Sequence, residues 1–159
     1  MNEYEIRKAN IKDLKQIQIL INKLCKKEFD EFDNTINPIF ATTKQGNSYL
    51  TKRIKDNSNS FCLVVVNNDK IVGYFVGGIN MVEEYRTINK IGEGETMFIE
   101  DEYRGKGIGT KFLRLFEKWC KDKKINRMRL VASSRNIQAI NLYKKEGFEI
   151  YDITLEKLI

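Results

Sequence analysis

The chain has 159 residues, is 42% hydrophobic and 31% charged, and carries a formal net charge of +6 at pH 7. This length and composition predict one globular domain over residues 1–159, with a core that needs no disulfide or structural metal. The sequence contains no histidine, which excludes Ser-His-Asp and Cys-His catalysis and most zinc chemistry, so acid–base chemistry must use other groups.

The first half of the chain predicts a strand, two helices and a hairpin. Residues 3–8 alternate as a short strand, and Asn10 is placed to cap a helix with apolar residues at helical spacing from Ile11 to Leu24. Residues 28–47 are predicted to be irregular, and a short helix follows at 48–56. Two β-branched runs, 61–66 and 71–79, are joined by residues 67–70 and indicate a hairpin.

The second half predicts a strand at 91–100, an amphipathic helix from Gly107 to about residue 121, and a strand at 127–132. A helix at 136–145, closed by Gly147, and a final strand at 148–155 complete the chain. The predicted order is β-α-α-β-β-β-α-β-α-β. It indicates an α/β fold with a mixed sheet, in which the strand–helix–strand units near the end give a locally parallel pair.

The segment 103–110, with sequence YRGKGIGT, lies between a predicted strand and a predicted helix. Glycines at alternate positions remove side chains from a turn, so backbone N–H groups can converge on an anion. The N-terminus of the following helix adds unpaired donors and the positive end of its dipole. Arg104 and Lys106 add charge and Thr110 adds a hydroxyl, which together suit a pyrophosphate. The G-x-G-x-G spacing matches neither a P-loop nor a dinucleotide-binding fingerprint.

This loop resembles the [RQ]-x-x-G-x-[GA] signature of the GNAT superfamily of N-acetyltransferases, which Arg104, Gly107 and Gly109 meet. The run ETMFI at 95–99 is similar to the strand before that loop, and residues 136–148 match a second family element, N-x-x-A-x-x-L-Y-x-x-x-G-F. The resemblance implies a GNAT-like fold, with a mixed, mostly antiparallel sheet, a splayed parallel strand pair and about four flanking helices.

The resemblance further implies that acetyl-CoA is the co-substrate and that no metal is needed. The edge of the strand at Phe98 and Ile99 would hydrogen-bond the pantetheine arm, Asn136 would contact the arm from the other side, and Tyr143 would lie near the thioester sulfur. The residues whose loop would bind the pyrophosphate are Arg104, Gly105, Lys106, Gly107, Ile108, Gly109 and Thr110.

Transfer to an amine requires the amine to lose a proton and the departing thiolate to gain one. Tyr143 is the candidate acid, because an ordinary pKa of about 10 keeps it protonated at neutral pH; the alternative is a core tyrosine. Glu93 and Glu95 point to the same side of one strand and are candidate bases, directly or through water; the alternative is two solvated strand glutamates. Direct attack needs no covalent intermediate, although a ping-pong route through Cys62 or Cys120 is left open.

An acidic and aromatic stretch, EFDEFD at 28–33, follows the first predicted helix. In GNAT folds this connection usually lines the acceptor side of the cleft. The stretch therefore predicts a cationic acceptor, either a small molecule or a peptide amine, held by carboxylates and aromatic rings. The alternative is a solvated loop whose phenylalanines anchor it to the core.

The expected partners are acetyl-CoA and an amine acceptor, with a homodimer left open and no nucleic acid or membrane expected. The basic residues are scattered and form no recognition motif, which argues against a nucleic-acid-binding module. A domain that binds acetyl-CoA as a sensor without catalysis stays the alternative function. The absence of a signal-like apolar N-terminus and of C-x-x-C pairs predicts a cytoplasmic protein with reduced thiols.

Overall fold

A computed structural model describes residues 4–159 of the chain. Within this range five strands form one sheet in the order β1-β2-β3-β4-β5, where every neighbouring pair is antiparallel except β4 and β5, which are parallel. The strands are β1 Glu5–Lys8, β2 Ser60–Asn67, β3 Lys70–Met81, β4 Lys90–Ile99 and β5 Met128–Leu130. The helices are α1 Leu14–Glu31, α2 Lys44–Lys55, α3 Ile108–Asp122 and α4 Ile137–Lys145. The predicted mixed sheet with a parallel pair and four flanking helices is confirmed.

The sheet is covered on both faces. The apolar residues of α1 and α2, among them Ile17, Ile21 and Leu50, pack on one face, whereas those of α3, among them Phe112 and Phe116, pack on the other. The central strand β3 is buried from residue 71 to residue 78, because a strand covered on both sides can place apolar side chains on either face. The sheet therefore holds α1 and α3 at fixed positions on opposite sides of β4.

The start of α1 is fixed by a capping box, as the predicted cap at Asn10 requires. The Asn10 side chain accepts from the N–H of Lys12 at 2.9 Å, and Asp13 accepts from the N–H of Asn10 at 2.8 Å. Asp13 also binds the Arg7 guanidinium through both oxygens, at 2.8 and 2.9 Å. A 3₁₀ turn at Ile11–Asp13 leads into the helix, so the helical axis is set by contacts to β1.

A β-bulge in β4 opens the sheet next to β5. In the β3–β4 ladder Val76 faces Thr96 and Gly77 faces Gly94, so Glu95 is an extra residue of β4. Such a bulge bends its strand. The parallel pairing of β4 with β5 ends at Gly94, and among the described residues no strand pairs with this edge of β4 from residue 95 to residue 99. The splayed pair expected from the sequence is present at this point.

Three sequence-based boundaries are wrong. The helix α1 continues to Glu31 and α2 begins at Lys44, so both ends of the segment 28–47 are helical rather than irregular. The strand predicted at 127–132 is only Met128–Leu130, and the final strand predicted at 148–155 is absent. Residue 3 of the first predicted strand lies outside the described residues.

The segment after α4 contacts the connection between β3 and β4. The Arg86 guanidinium donates to the Tyr151 hydroxyl at 3.0 Å, lies 5.3 Å from its ring centroid and contacts Asp152 at 3.5 Å. The Arg127 guanidinium, which directly precedes β5, lies 5.5 Å from the same ring centroid, so the segment passes close to β5 without pairing with it.

Candidate active site

A cleft of about 430 Å³ lies between α1, the open edge of β4, the loop before α3, and α4. Its size falls in the range of about 300–1,000 Å³ that is usual for small-molecule sites. Glu93 and Lys106 are the predicted site residues that do not line the cleft. The predicted site residues that line it are Glu95, Phe98, Ile99, Arg104, Gly105, Gly107, Ile108, Gly109, Thr110, Asn136 and Tyr143.

The backbone of the glycine loop presents free donors to this cleft. Gly105 and Gly107 have φ values of +74° and +75°, a conformation that residues with a Cβ adopt only at a cost. Gly107 caps α3 without a side-chain hydrogen bond, and the first helical bond runs from the Lys111 N–H to the Gly107 carbonyl at 3.0 Å. The N–H groups of Ile108 and Gly109 precede that bond, so they have no acceptor within the helix. A phosphate fits such an uncapped helix N-terminus.

The Arg104 side chain lines the cleft, but its polar groups are engaged by other residues of the protein. Its Nε donates to the Ile99 carbonyl at 2.8 Å, and its guanidinium pairs with Asp101 at 2.6 Å. The guanidinium carbon lies 5.4 Å from the centroid of the Phe98 ring. The carbonyl of Ile99 is therefore already used, and the anion-binding capacity of the loop rests mainly on its backbone.

The other two polar side chains of the loop also contact the protein. The Lys106 ammonium lies 5.2 Å from the centroid of the Tyr103 ring. The Arg114 guanidinium, which donates to Glu146 at 3.0 Å, lowers the pKa of that carboxyl, and the hydroxyl of Thr110 adds to this effect.

Close packing of α3 against α4 sets the far wall of the cleft. A Cβ on Gly109 would lie 2.9 Å from Cδ2 of Leu142, so glycine allows the N-terminus of α3 to approach α4. Asn136 caps α4, because its Oδ1 accepts from the Ala139 N–H at 3.1 Å. These two contacts fix the position from which α4 presents Tyr143.

Tyr143 meets the requirements of a proton donor. Its side chain is half-buried, and burial, followed by the negative charge of Glu28, raises its pKa. The hydroxyl therefore stays protonated at neutral pH. No hydrogen-bond partner of this hydroxyl is found among residues 4–159, so the proton is available to a ligand in the cleft.

The two predicted bases lie together, and both are held by arginines. Asn80 Nδ2 donates to Glu93 at 2.7 Å and to Glu95 at 3.0 Å, which places the two carboxylates on one side of β4 as predicted. Arg129 binds Glu93 through Nε at 3.1 Å. Arg53 binds both oxygens of Glu95, with its Nε at 3.0 Å from one of them.

The hydroxyl of Tyr49 also donates to Glu95. Burial and the charge of Glu95 raise the pKa of Tyr49, so this hydroxyl keeps its proton. Both oxygens of Glu95 thus accept hydrogen bonds from the protein, and an ammonium ion has to compete with these donors.

Sequence reasoning missed Glu28 as an individual site residue. Because α1 continues past residue 28, its residues Leu24, Lys27 and Glu28 line the cleft, followed by Phe32 just after the helix. Asp30 and Asp33 do not line it: Asp30 pairs with Lys26 at 2.5 Å, and Asp33 accepts from the Thr35 N–H at 2.9 Å. The available signal was the position of Glu28, four residues after Leu24 on the apolar stripe of the helix.

The cysteines lie away from the cleft. None of the three lines it, and Cys62 and Cys120 are buried. Burial raises the pKa of Cys62 to about 12 and that of Cys120 to about 11, so both remain thiols.

Among residues 4–159 no cluster of three or more acidic or cysteine residues is placed to hold a metal ion. No helix in the same range has the length and apolar character to cross a membrane.

The proteins that resemble the chain include two curated relatives and one solved structure. An N-alpha-acetyltransferase of Sulfurisphaera tokodaii is 28% identical over 152 residues, which cover 92% of this chain and 81% of the relative. A spermine/spermidine N(1)-acetyltransferase of Bacillus subtilis is 35% identical over 82 residues, covering 50% and 53%. A predicted acetyltransferase of Clostridium acetobutylicum, crystallised with acetyl-CoA, superposes with a TM-score of 0.75 at 25% identity, covering 98% and 96%.

The matched segments span between 27% and 53% of the length of three of the curated relatives. The model of the acetyltransferase (GNAT) family matches residues 24–148, which is most of the chain. This range holds the bulged strand β4, the glycine loop and α4 with Tyr143. The chain belongs to the GNAT family of acetyltransferases.

Proposed function

We propose that this chain transfers the acetyl group of acetyl-CoA to a cationic amine by direct attack of the amine on the thioester. The observation that carries the proposal is the cleft itself, in which an uncapped helix N-terminus, an open strand edge and an unpaired Tyr143 hydroxyl line one space. Acetyl-CoA has the matching parts: a pyrophosphate, an amide-containing arm and a thioester whose sulfur needs a proton on leaving.

The loop residues 104–110 bind the pyrophosphate through backbone N–H groups, and the fit is supported by the open space around Gly105 and Gly107, where a Cβ would meet no atom within 4 Å. The edge of β4 at Phe98 holds the pantetheine arm, with Asn136 on the opposite wall. The Ile99 carbonyl is engaged by Arg104, so the arm uses the remaining N–H and C=O groups of this edge.

Tyr143 acts as the acid that protonates the departing thiolate. Its raised pKa and its unpaired hydroxyl support this role. Glu93 and Glu95 stay predicted bases, acting directly or through water. The absence of cysteines from the lining favours direct attack over a ping-pong route.

The acceptor is a cationic small molecule or a peptide amine. The acidic residues Glu28 and Glu95 on the cleft wall support a cationic group. One relative is named a spermine/spermidine N(1)-acetyltransferase and another an N-alpha-acetyltransferase, so polyamines and peptide α-amines both belong in the assay.

Thermal unfolding and a coenzyme A release assay test the proposal. Acetyl-CoA should raise the Tm, since a ligand that binds only the folded state stabilises it by mass action. Gly107→Glu should abolish this rise, because it places a carboxylate where a phosphate must approach. Polyamines, aminoglycosides, amino acids and peptides with free N-termini should then be compared as acceptors. Acetyl-CoA binding without turnover of any amine would favour the non-catalytic sensor.

A further inference from the structure

Glu28 occupies a position of α1 that the fold otherwise gives to apolar side chains. The stripe of the helix that packs on the sheet contains Ile17 and Ile21, both fully buried, followed by Leu24. Glu28 continues this stripe into the cleft and is half-buried there. A carboxylate at such a position has lost part of its hydration, which is costly unless another group compensates its charge.

The protein supplies no such compensation among the described residues. No hydrogen bond or ion pair involves the Glu28 carboxylate within residues 4–159, whereas its neighbour Glu31 pairs with Lys27 at 4.0 Å. The last turn of α1 contains no basic residue, although the C-terminal end of a helix favours cations and disfavours carboxylates. A cationic ligand in the cleft would satisfy both the carboxylate and the helix end.

The groups that face Glu28 leave it able to accept a proton. Burial, followed by the charge of Asp33, raises the pKa of Glu28. The other titratable groups that sense its charge are Cys25 on the same helix, Tyr74 on β3 and Tyr143 on α4. All three stay neutral at pH 7, because burial raises the pKa of each. Lys27 of α1 and Lys145 of α4 line the same cleft as Glu28 and Tyr143, but neither lysine forms an ion pair with the Glu28 carboxylate.

We propose that Glu28 is the base of the transfer reaction and takes the proton of the acceptor ammonium. The assignment rests on the proposed function and moves the base from β4 to α1. Glu28 accepts one proton from the ammonium, and the neutral nitrogen attacks the thioester carbonyl. The nitrogen–carbon bond forms, the carbon–sulfur bond breaks, and the thiolate takes the proton of Tyr143.

The acylated nitrogen then loses its second proton to solvent, and Tyr143 takes a proton back from solvent. Glu28 releases the proton that it accepted from the ammonium to solvent. The products are the acetylated amine, free coenzyme A and one proton. The mechanism therefore needs one carboxylate on the acceptor side of the cleft and one phenol on the sulfur side.

Steady-state kinetics across pH test this assignment on an amine that the wild-type protein acetylates. Glu28→Gln should lower kcat by about 10²–10⁴-fold at neutral pH and remove the acidic limb of the rate profile. The rise in Tm with acetyl-CoA should be unchanged. Glu28→Asp keeps a carboxylate and should retain the acidic limb with partial activity. The matched control is Glu31→Gln, which changes a glutamate three residues later in α1 and outside the cleft. This variant should behave as wild type.

The Glu95→Gln variant provides the comparison with β4. Loss of the acidic limb in Glu95→Gln, with that limb intact in Glu28→Gln, would overturn the assignment and return the base to β4. A change confined to KM in Glu28→Gln would also overturn it, and would leave Glu28 as a binding residue. A wild-type protein that binds acetyl-CoA yet releases no coenzyme A with any amine would contradict the proposed function, and the assignment with it.

Discussion

Replacing Gly107 with alanine tests whether the loop binds phosphate. Gly147→Ala is the control for the loss of stability that backbone strain alone causes. Gly107 and Gly147 have φ values of +75° and +89°, and a Cβ on either would meet no atom within 4 Å. Each alanine variant should therefore lose stability through backbone strain alone, about 1–2 kcal/mol. For a domain of this size that loss corresponds to a fall in Tm of about 2–8 °C. Of these two glycines, Gly107 lines the cleft and Gly147 does not.

The two variants should differ in their response to acetyl-CoA. A ligand at 100 times its Kd stabilises the folded state by about 2.7 kcal/mol, which raises Tm by roughly 5–11 °C. Gly147→Ala should keep this rise in full. Gly107→Ala should show a smaller rise, because its methyl group and the altered backbone disturb the N-terminus of α3. Differential scanning fluorimetry with and without acetyl-CoA measures both effects. Equal ligand-induced shifts in the two variants would refute the assignment of the loop as the phosphate site.

Three further substitutions test separate parts of the structure. Tyr143→Phe should lower kcat by about 10²–10⁴-fold and leave the affinity for acetyl-CoA, measured by calorimetry, nearly intact; a loss under about threefold would remove it as the acid. Arg104→Met should weaken acetyl-CoA binding by less than about tenfold, or about 1.4 kcal/mol, since the cradle is mainly backbone; a larger loss would mean that the guanidinium binds phosphate. Asp13→Asn should cost about 1–3 kcal/mol at pH 7 in urea unfolding. The hydrogen bond from Arg7 lowers the folded-state pKa of Asp13, so its contribution is complete above the unfolded value of about 3.9 and is lost as pH falls through the folded pKa. The two proteins should therefore converge in stability in acid, and a constant difference down to pH 2 would contradict this account.

The features that were predicted correctly are those whose causes lie close together in the sequence. The cap at Asn10 needs only the three residues that follow it. The hairpin turn at Asn68 and Asp69 uses two residues with positive φ, which suits the twist of the flanking strands. The loop ending at Gly107 combines a glycine turn with a helix start. In each case a short segment determines its own conformation.

The features that were missed depend on partners far away in the chain. Arg53 of α2 binds Glu95 of β4, and Arg129 of β5 binds Glu93 of β4. No local sequence pattern predicts which arginine contacts which glutamate. The strand expected at the end of the chain had the right alternation but forms no ladder with β5 or with any other described strand. A strand needs hydrogen-bonding partners, and only the tertiary structure supplies them.

Glu28 was missed for a different reason. The acidic and aromatic composition of residues 28–33 favoured a loop, whereas packing of the preceding apolar stripe carries the helix through Glu31. Ending the helix too early removed the helical spacing that relates Glu28 to Leu24. A charged residue on an apolar stripe can be recognised from the sequence only when the predicted helix extends far enough to include it.

The bulge at Glu95 also affects how the protein avoids aggregation. Unpaired strand edges on the outside of a sheet can template pairing with another chain. The open edge of β4 lies instead between β4 and β5, whose pairing closes the gap at Gly94. Beyond Gly94 the edge shares the cleft with Asn136 and Tyr143, so an incoming polypeptide strand would have to fit into this limited space, whereas a slender ligand needs less room. The cleft therefore favours narrow ligands over whole strands as partners of these backbone hydrogen-bonding groups.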